Sequence, residues 1–203
     1  MTPEFLLTSL VVVASPGTGV VYTLAAGLSA GRRASLVAAL GCTLGIVPHL
    51  AAAMVGLAAV LHASALAFGI VKWAGVAYLL FMAWRMLGEH GGLTVEAKAQ
   101  RRPARRVIFD GIVVNLLNPK LSIFFVAFLP QFMDPADPAP LATMAELGGV
   151  FMAMTFAVFA VYGVFAAAMR SRVLGRASVM AFLRRSFAAA FVLLGAKLAL
   201  AER

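Results

Sequence analysis

Apolar positions run along this chain in long blocks rather than on one face. No Asp, Glu, Lys or Arg occurs from Phe5 to Gly31, from Ala34 to Val71 or from Leu147 to Met169. About 20 apolar residues in a row cross the hydrocarbon core of a bilayer as a helix. The second block is long enough for a span, a turn and most of another span. The blocks are apolar all round, as in helices surrounded by lipid and by one another. They lack the period-two alternation of a transmembrane barrel. The pattern predicts six spans, at 5–28, 36–61, 65–87, 107–130, 146–169 and 186–202. The expected fold class is all-α, a polytopic membrane protein forming one transmembrane domain over residues 1–203.

Composition agrees. The 203 residues are 63% hydrophobic and 12% charged, about half the charge of a soluble domain, which is roughly 25%. Charge placement then orients the chain. The first, third and fifth loops hold eleven Lys or Arg residues, among them Arg32, Arg33, Lys98, Arg101, Arg102, Arg105, Arg106, Arg170, Arg172 and Arg176. The N-terminus and the second and fourth loops hold none. Basic residues collect in cytoplasmic loops, so both termini are expected outside, and the net charge of +9 points to membrane topology rather than to nucleic acid. Residues 172–185 also read as an amphipathic segment on the inner surface. Residues 1–10 carry no Lys or Arg and so lack the positive region of a signal peptide; they read as the start of a retained first span. Cys42 is the one cysteine, which excludes an intrachain disulfide or a CxxC redox pair. HExxH and Walker lysine motifs are absent from the sequence, as are mid-span acids, so no catalytic residue, metal site or cofactor is expected.

Six spans divide as three and three, with residues 5–87 and 107–203 joined by the basic loop 88–106. An odd number per half means that the second half enters from the opposite face, the inverted repeat of secondary transporters. Two interrupted spans fit this. Span one contains Ser15-Pro16-Gly17-Thr18-Gly19, and span four contains Asn115-Leu116-Leu117-Asn118-Pro119-Lys120. At 1.5 Å per residue both prolines lie roughly 16–18 Å deep in a core of ~30 Å. Proline lacks an N–H and clashes with the carbonyl four residues back. Pro16 therefore frees the carbonyl of Val12, and Pro119 that of Asn115. Unpaired carbonyls in hydrocarbon are costly, so the irregular backbone must face protein or a wet cavity. A restarted half-helix also turns N–H groups and its positive dipole end toward the midplane, where an anion can bind. Kinks without a site are the simpler alternative, but two at matching depth favour a site.

The polar residues inside the spans supply the candidate chemistry. Lys120 lies about 15 Å from the outer end of its span, too deep to snorkel easily. It needs a freed carbonyl, Asp110 or a bound carboxylate as partner. Asn115 and Asn118 share a helix face and read equally as substrate ligands or as caps of broken ends. His49 is a proton-relay candidate, because imidazole titrates near pH 6.5, or else a neutral cross-helix bond. Asp110, near the cytoplasmic end, is the second coupling candidate or a partner for Arg105 or Arg106. Gly41 and Gly45 form a GxxxG step for close helix packing. Lys72 and Lys197 are placed to snorkel, and Trp73 and Trp84 to anchor at the interface.

These residues resemble a known family. Pro16-Gly17, the Gly41/Gly45/His49 stretch, Ala77-Tyr78-Leu79-Leu80 with Ala83-Trp84-Arg85, and above all Gly111 through Asn115-Leu116-Leu117-Asn118-Pro119-Lys120 followed by Phe128-Leu129-Pro130-Gln131-Phe132 are similar to the LysE/RhtB amino-acid exporters. The resemblance covers nearly the whole chain, and the NPK stretch with FLPQF is its most specific part. It implies export of amino acids or their derivatives from the bacterial cytoplasm across the inner membrane, coupled to a proton or cation, and it leaves a homodimer open. It places the substrate site at Pro16, Gly17, Thr18, Gly19, Asn115, Asn118, Pro119 and Lys120. Family members usually follow the PG pair with proline and a polar residue; here Thr18-Gly19 follows, so Gly19 either widens the site or leaves only backbone there.

Overall fold

The computed structural model describes residues 2–15, 17–60, 102–134 and 136–168, with isolated helical positions between 73 and 84 and between 185 and 200. All regular structure among the described residues is helical. Helix α1 (Pro3–Ala14) starts well: Thr2 Oγ1 accepts from the Phe5 N–H at 3.3 Å, Pro3 sits at the first position and Glu4 in the first turn, each favourable at a helix N-terminus. After the Ser15–Gly17 interruption α2 runs over Thr18–Ala30. A single residue, Gly31, then turns the chain with φ +87°, a left-handed conformation that glycine adopts without strain. The loop expected over Ser29–Ser35 is therefore one residue long, and α3 (Arg32–Leu44) begins on the basic pair itself. A turn at Gly45–Ile46 leads into α4 (Val47–Val60).

Helix α5 (Ala104–Leu116) is followed by an interruption at Leu117–Asn118 and by α6 (Pro119–Ile123). The chain widens into a π-helical turn (Phe124–Phe128) and closes with a 3-10 turn (Leu129–Phe132). Pro130 explains the change, since it cannot donate to Val126 and an α-helix would clash there. Gln131 Nε2 donates instead to the Ala127 carbonyl at 2.8 Å. Helix α7 (Pro140–Ala168) starts six residues before the expected boundary at 146. Asp137 is the reason. Its carboxylate accepts from the Thr143 hydroxyl and from the Ala139 N–H. Both bonds hold it below the ordinary carboxylate range, the Thr143 hydroxyl having the larger effect.

Two stretches, Arg32–Gly56 and Pro140–Ala168, are long and apolar enough to cross a membrane unbroken. Two more pass as bent pairs: Pro3–Ala14 with Thr18–Ala30, bent by 56°, and Ala104–Leu116 with Lys120–Phe132, bent by 57°. That makes up to four spans among the described residues. The expected third and sixth spans, 65–87 and 186–202, are described only at isolated positions, all helical. Trp73 and Trp84 are exposed there. Lys72, Lys197, most of the 88–106 loop and all but the last residue of the amphipathic segment 172–185 lie outside the described residues.

The two bent pairs lie side by side and run antiparallel. Phe5, near the start of the first, packs edge-on against Phe132, the last residue of the second, at 5.4 Å between ring centres. Tyr22, beyond the first break, donates to the Val107 carbonyl, before the second, at 2.9 Å. Helix α3 packs against α5, α7 and α2, and α2 packs against α7 as well. Glycines allow this approach. A Cβ on Gly41 would stand 2.6 Å from the Ile108 carbonyl oxygen, and one on Gly45 2.7 Å from that of Ile112. The GxxxG step thus lets α3 touch the backbone of α5. Around the breaks the core is aromatic, with Phe124 stacked on Phe151 at 4.4 Å and Phe125 edge-on to Phe151 at 5.2 Å.

Gly41→Leu would force backbone from backbone and should destabilise the purified protein by about 1–3 kcal/mol or more. Gly149→Ala, on an exposed stretch of α7 with nothing within 4 Å of the new Cβ, should stabilise it by about 0.5–1 kcal/mol. Thermal unfolding in detergent reads both.

Candidate functional site

At each break the helix loses hydrogen-bond donors, and the freed carbonyls find side chains from elsewhere. In the first break Val11 O still accepts from the Ser15 N–H at 3.0 Å. Val12 O, which a proline at position 16 deprives of its usual partner, accepts from Ser15 Oγ at 2.7 Å and from Lys120 Nζ at 2.9 Å. Ala14 O accepts from the Tyr162 hydroxyl of α7 at 3.0 Å. Ser15 O and Ser15 Oγ accept from Lys120 Nζ at 3.0 and 3.1 Å. All three protons of the Lys120 ammonium are used. Of the three partners expected for this lysine, the structure provides the freed carbonyl. Among the described residues no carboxylate pairs with it.

The second break mirrors the first. Asn115 O accepts from the Asn118 N–H and from His49 Nε2, each at 3.0 Å. Because a carbonyl only accepts, Nε2 carries a proton. His49 Nδ1 lies 3.3 Å from Ser122 Oγ. A hydroxyl suits either state of the ring, donating to a neutral imidazole and accepting from a charged one. Val114 O accepts a long bond, 3.4 Å, from Thr18 Oγ1. Asn118 caps α6: its Oδ1 accepts from the Lys120 N–H at 3.1 Å and its Nδ2 donates to Asn115 Oδ1 at 3.3 Å. Asn115 Nδ2 donates to the Cys42 carbonyl at 2.7 Å, which is freed where α3 gives way to the Gly45–Ile46 turn. Both asparagines thus serve the broken ends, and both are buried.

Between the breaks lies a cavity bordered by Val12, Gly19, Asn115, Asn118, Lys120 and, from α7, Phe151, Thr155 and Phe159. It offers water centres about 10 Å³, room for one water. That is too small for an amino acid.

The sequence-predicted residues distribute as follows. Gly17, Gly19, Asn115, Asn118 and Lys120 come together around the cavity and the lysine; Pro119 opens α6; Pro16 lies outside the described residues. Gly17 lies against the lysine, where a Cβ would be 3.0 Å from Nζ. Of the two alternatives for Gly19 the structure takes the second, backbone only, because a Cβ there would collide with Asn115 Oδ1 and the Phe159 ring. Thr18 is exposed. Asp110 pairs with Arg102 at 3.3 Å and Arg106 at 3.2 Å, on the exposed side; Arg102 takes the place expected for Arg105. Sequence reasoning passed over Ser15, Ser122 and the α7 face. A hydroxyl residue immediately before an intramembrane proline was the available signal for Ser15. The spacing of four through Phe151, Thr155 and Phe159 was the signal for α7.

The sequence matches the LysE type translocator family over residues 10–202. The chain belongs to that family. It is therefore a membrane translocator and not an enzyme. A homoserine/homoserine lactone efflux protein of Salmonella typhimurium is 33% identical over 198 residues, covering 98% of this chain and 95% of the relative. A leucine efflux protein of Enterobacter sp. is 30% identical over 155 residues, covering 73% of each. An uncharacterized membrane protein of Vibrio cholerae is 36% identical over 131 residues, covering 64% of each. No solved structure matches the chain.

Asn115→Ala in this LysE type translocator would leave the Cys42 carbonyl and the Asn118 amide without partners, at a cost of about 1–3 kcal/mol for each. Asp110→Asn, which weakens only a partly exposed ion pair, should cost less than about 1 kcal/mol. Comparing the unfolding temperatures of the two variants checks the ranking.

Proposed function

We propose that this translocator exports amino acids or their derivatives from the bacterial cytoplasm across the inner membrane, in exchange for a proton or cation. One observation carries the reading: a relative named for homoserine and homoserine lactone efflux aligns with 98% of the chain, through both interrupted spans. In this reading six spans form a 3+3 inverted repeat with both termini outside. The antiparallel bent pairs, with bends of 56° and 57°, support that symmetry. The substrate binds between the breaks, its carboxylate near Lys120 and the restarted half-helices. Asn115, Asn118 and Thr18 read its remaining polar groups. The halves rock about the breaks to alternate access. His49, bonded at both nitrogens, and Asp110 are the coupling candidates.

The test is export from cells that lack their own exporters, loaded with dipeptides and followed by amino-acid release into the medium. The wild-type chain should release at least one amino acid. Lys120→Ala, at equal abundance in the membrane, should release it at least about tenfold more slowly, since the variant removes a charged donor from the site. Normal export by that variant would remove Lys120 from the mechanism.

A further inference from the structure

Lys120 occupies a site that its own chemistry defines. Two main-chain carbonyls, Val12 O and Ser15 O, and one hydroxyl, Ser15 Oγ, converge on a primary ammonium at 2.9–3.1 Å. These acceptors match three N–H donors, and all belong to buried residues. An amino acid carries the same group, R–NH3+, on its α-carbon. Val12 of the cradle and Lys120 both border the cavity between the breaks, and Ser15 is reached from it through the Lys120 ammonium.

We propose that the Val12 O, Ser15 O and Ser15 Oγ cradle is the subsite for the substrate's α-ammonium, which displaces Lys120 from it during transport. The proposal rests on the amino-acid export reading above and deepens it. The exchange conserves hydrogen bonds: one ammonium leaves three acceptors and another takes them. The displaced lysine keeps its charge, and the carboxylate of the same substrate answers it. A zwitterion therefore satisfies both the cradle and the lysine. An amine whose carboxyl is esterified fills the cradle but leaves Lys120 without an anion. An N-acylated amino acid can meet Lys120 but cannot donate three protons to the cradle. Gly17 fits the exchange, because any Cβ there would press on Nζ and on Cε, at 3.0 and 3.3 Å, and obstruct the lysine's path out.

The recognition order follows from charge and donor count: zwitterion first, ammonium-only next, carboxylate-only last. Homoserine, homoserine lactone and N-acetylhomoserine, with leucine, leucine methyl ester and N-acetylleucine, span these three classes. Binding of each to the purified full-length protein is measured by calorimetry. For whichever side chain binds, the N-acetyl compound should be at least about tenfold weaker than the parent, the loss expected when charged donors are removed. It should also be weaker than the ester or lactone. An N-acetyl compound that binds as tightly as its parent, with the ester or lactone failing, would overturn the cradle and leave the carboxylate reading standing. Binding by none of the six would overturn both. Lys120→Ala gives an independent arm in protein shown by its unfolding transition to be folded. With the cradle relieved of its lysine, the ester or lactone should bind at least as tightly as to the wild type, and the advantage of the zwitterion over it should disappear. Loss of ester binding in that folded variant would count against the proposal as firmly as N-acetyl binding in the wild type.

Discussion

A helix interrupted inside hydrocarbon has carbonyls that water cannot reach, and this requirement organises the structure around its two breaks. Each break takes a donor from the other side of the molecule. Lys120, just past the second break, donates to Val12 and Ser15 at the first. His49, two helices beyond the first break, bonds the Asn115 carbonyl at the second. Tyr162, Thr18 and Asn115 satisfy Ala14, Val114 and Cys42 in the same way. Leaving such a group unpaired costs several kcal/mol in lipid. The two interrupted pairs therefore hold one another in register, and neither break is satisfied by its own segment alone.

Close approach is a precondition for those bonds. The glycines at 41, 45 and 111 bring α3 against the backbone of α5, and Gly27 and Gly163 do the same for α2 and α7. Without lipid-excluding driving force between helices, this backbone contact and its dispersion energy are what hold spans together. Buried phenylalanines, Phe124, Phe125, Phe151 and Phe159, pack in the core around the breaks. Net hydrogen-bond contributions are about 1 kcal/mol each, somewhat more for a charged donor. A handful of them can latch two halves and still release within a transport cycle.

Much of this was legible in the residues. A proline beside glycines in one span and an Asn-Pro-Lys in another marked both breaks, and the i−4 rule for proline named Val12 and Asn115 as the freed carbonyls. The depth of Lys120 demanded a partner, and the carbonyl was among the three considered. The GxxxG step gave the α3 contact. What escaped was of another kind. Backbone acceptors have no sequence signature, so the Cys42 carbonyl and the Ala14 carbonyl could not be named in advance. For Gly19 two readings stayed open, because a missing side chain looks the same whether a ligand or Asn115 fills the gap. Helix α7 began early because Asp137 and Pro140 start it, and hydropathy windows do not register caps.

The contacts of Lys120 also bear on how a buried lysine can persist here with no carboxylate partner among the described residues. Three oxygen acceptors replace the hydration of the ammonium, but they are dipoles and leave its full charge in place, so the state is tolerable rather than deep. A molecule that brings its own ammonium and an anion improves on it in both respects. The resting contacts of Lys120 and the requirements of a zwitterion are thus two solutions to one electrostatic problem, set by the same freed carbonyls. In the alternating-access cycle proposed above, carbonyls that are satisfied when the halves are closed and given up when they part would serve both as a latch and as the means for a substrate to open it.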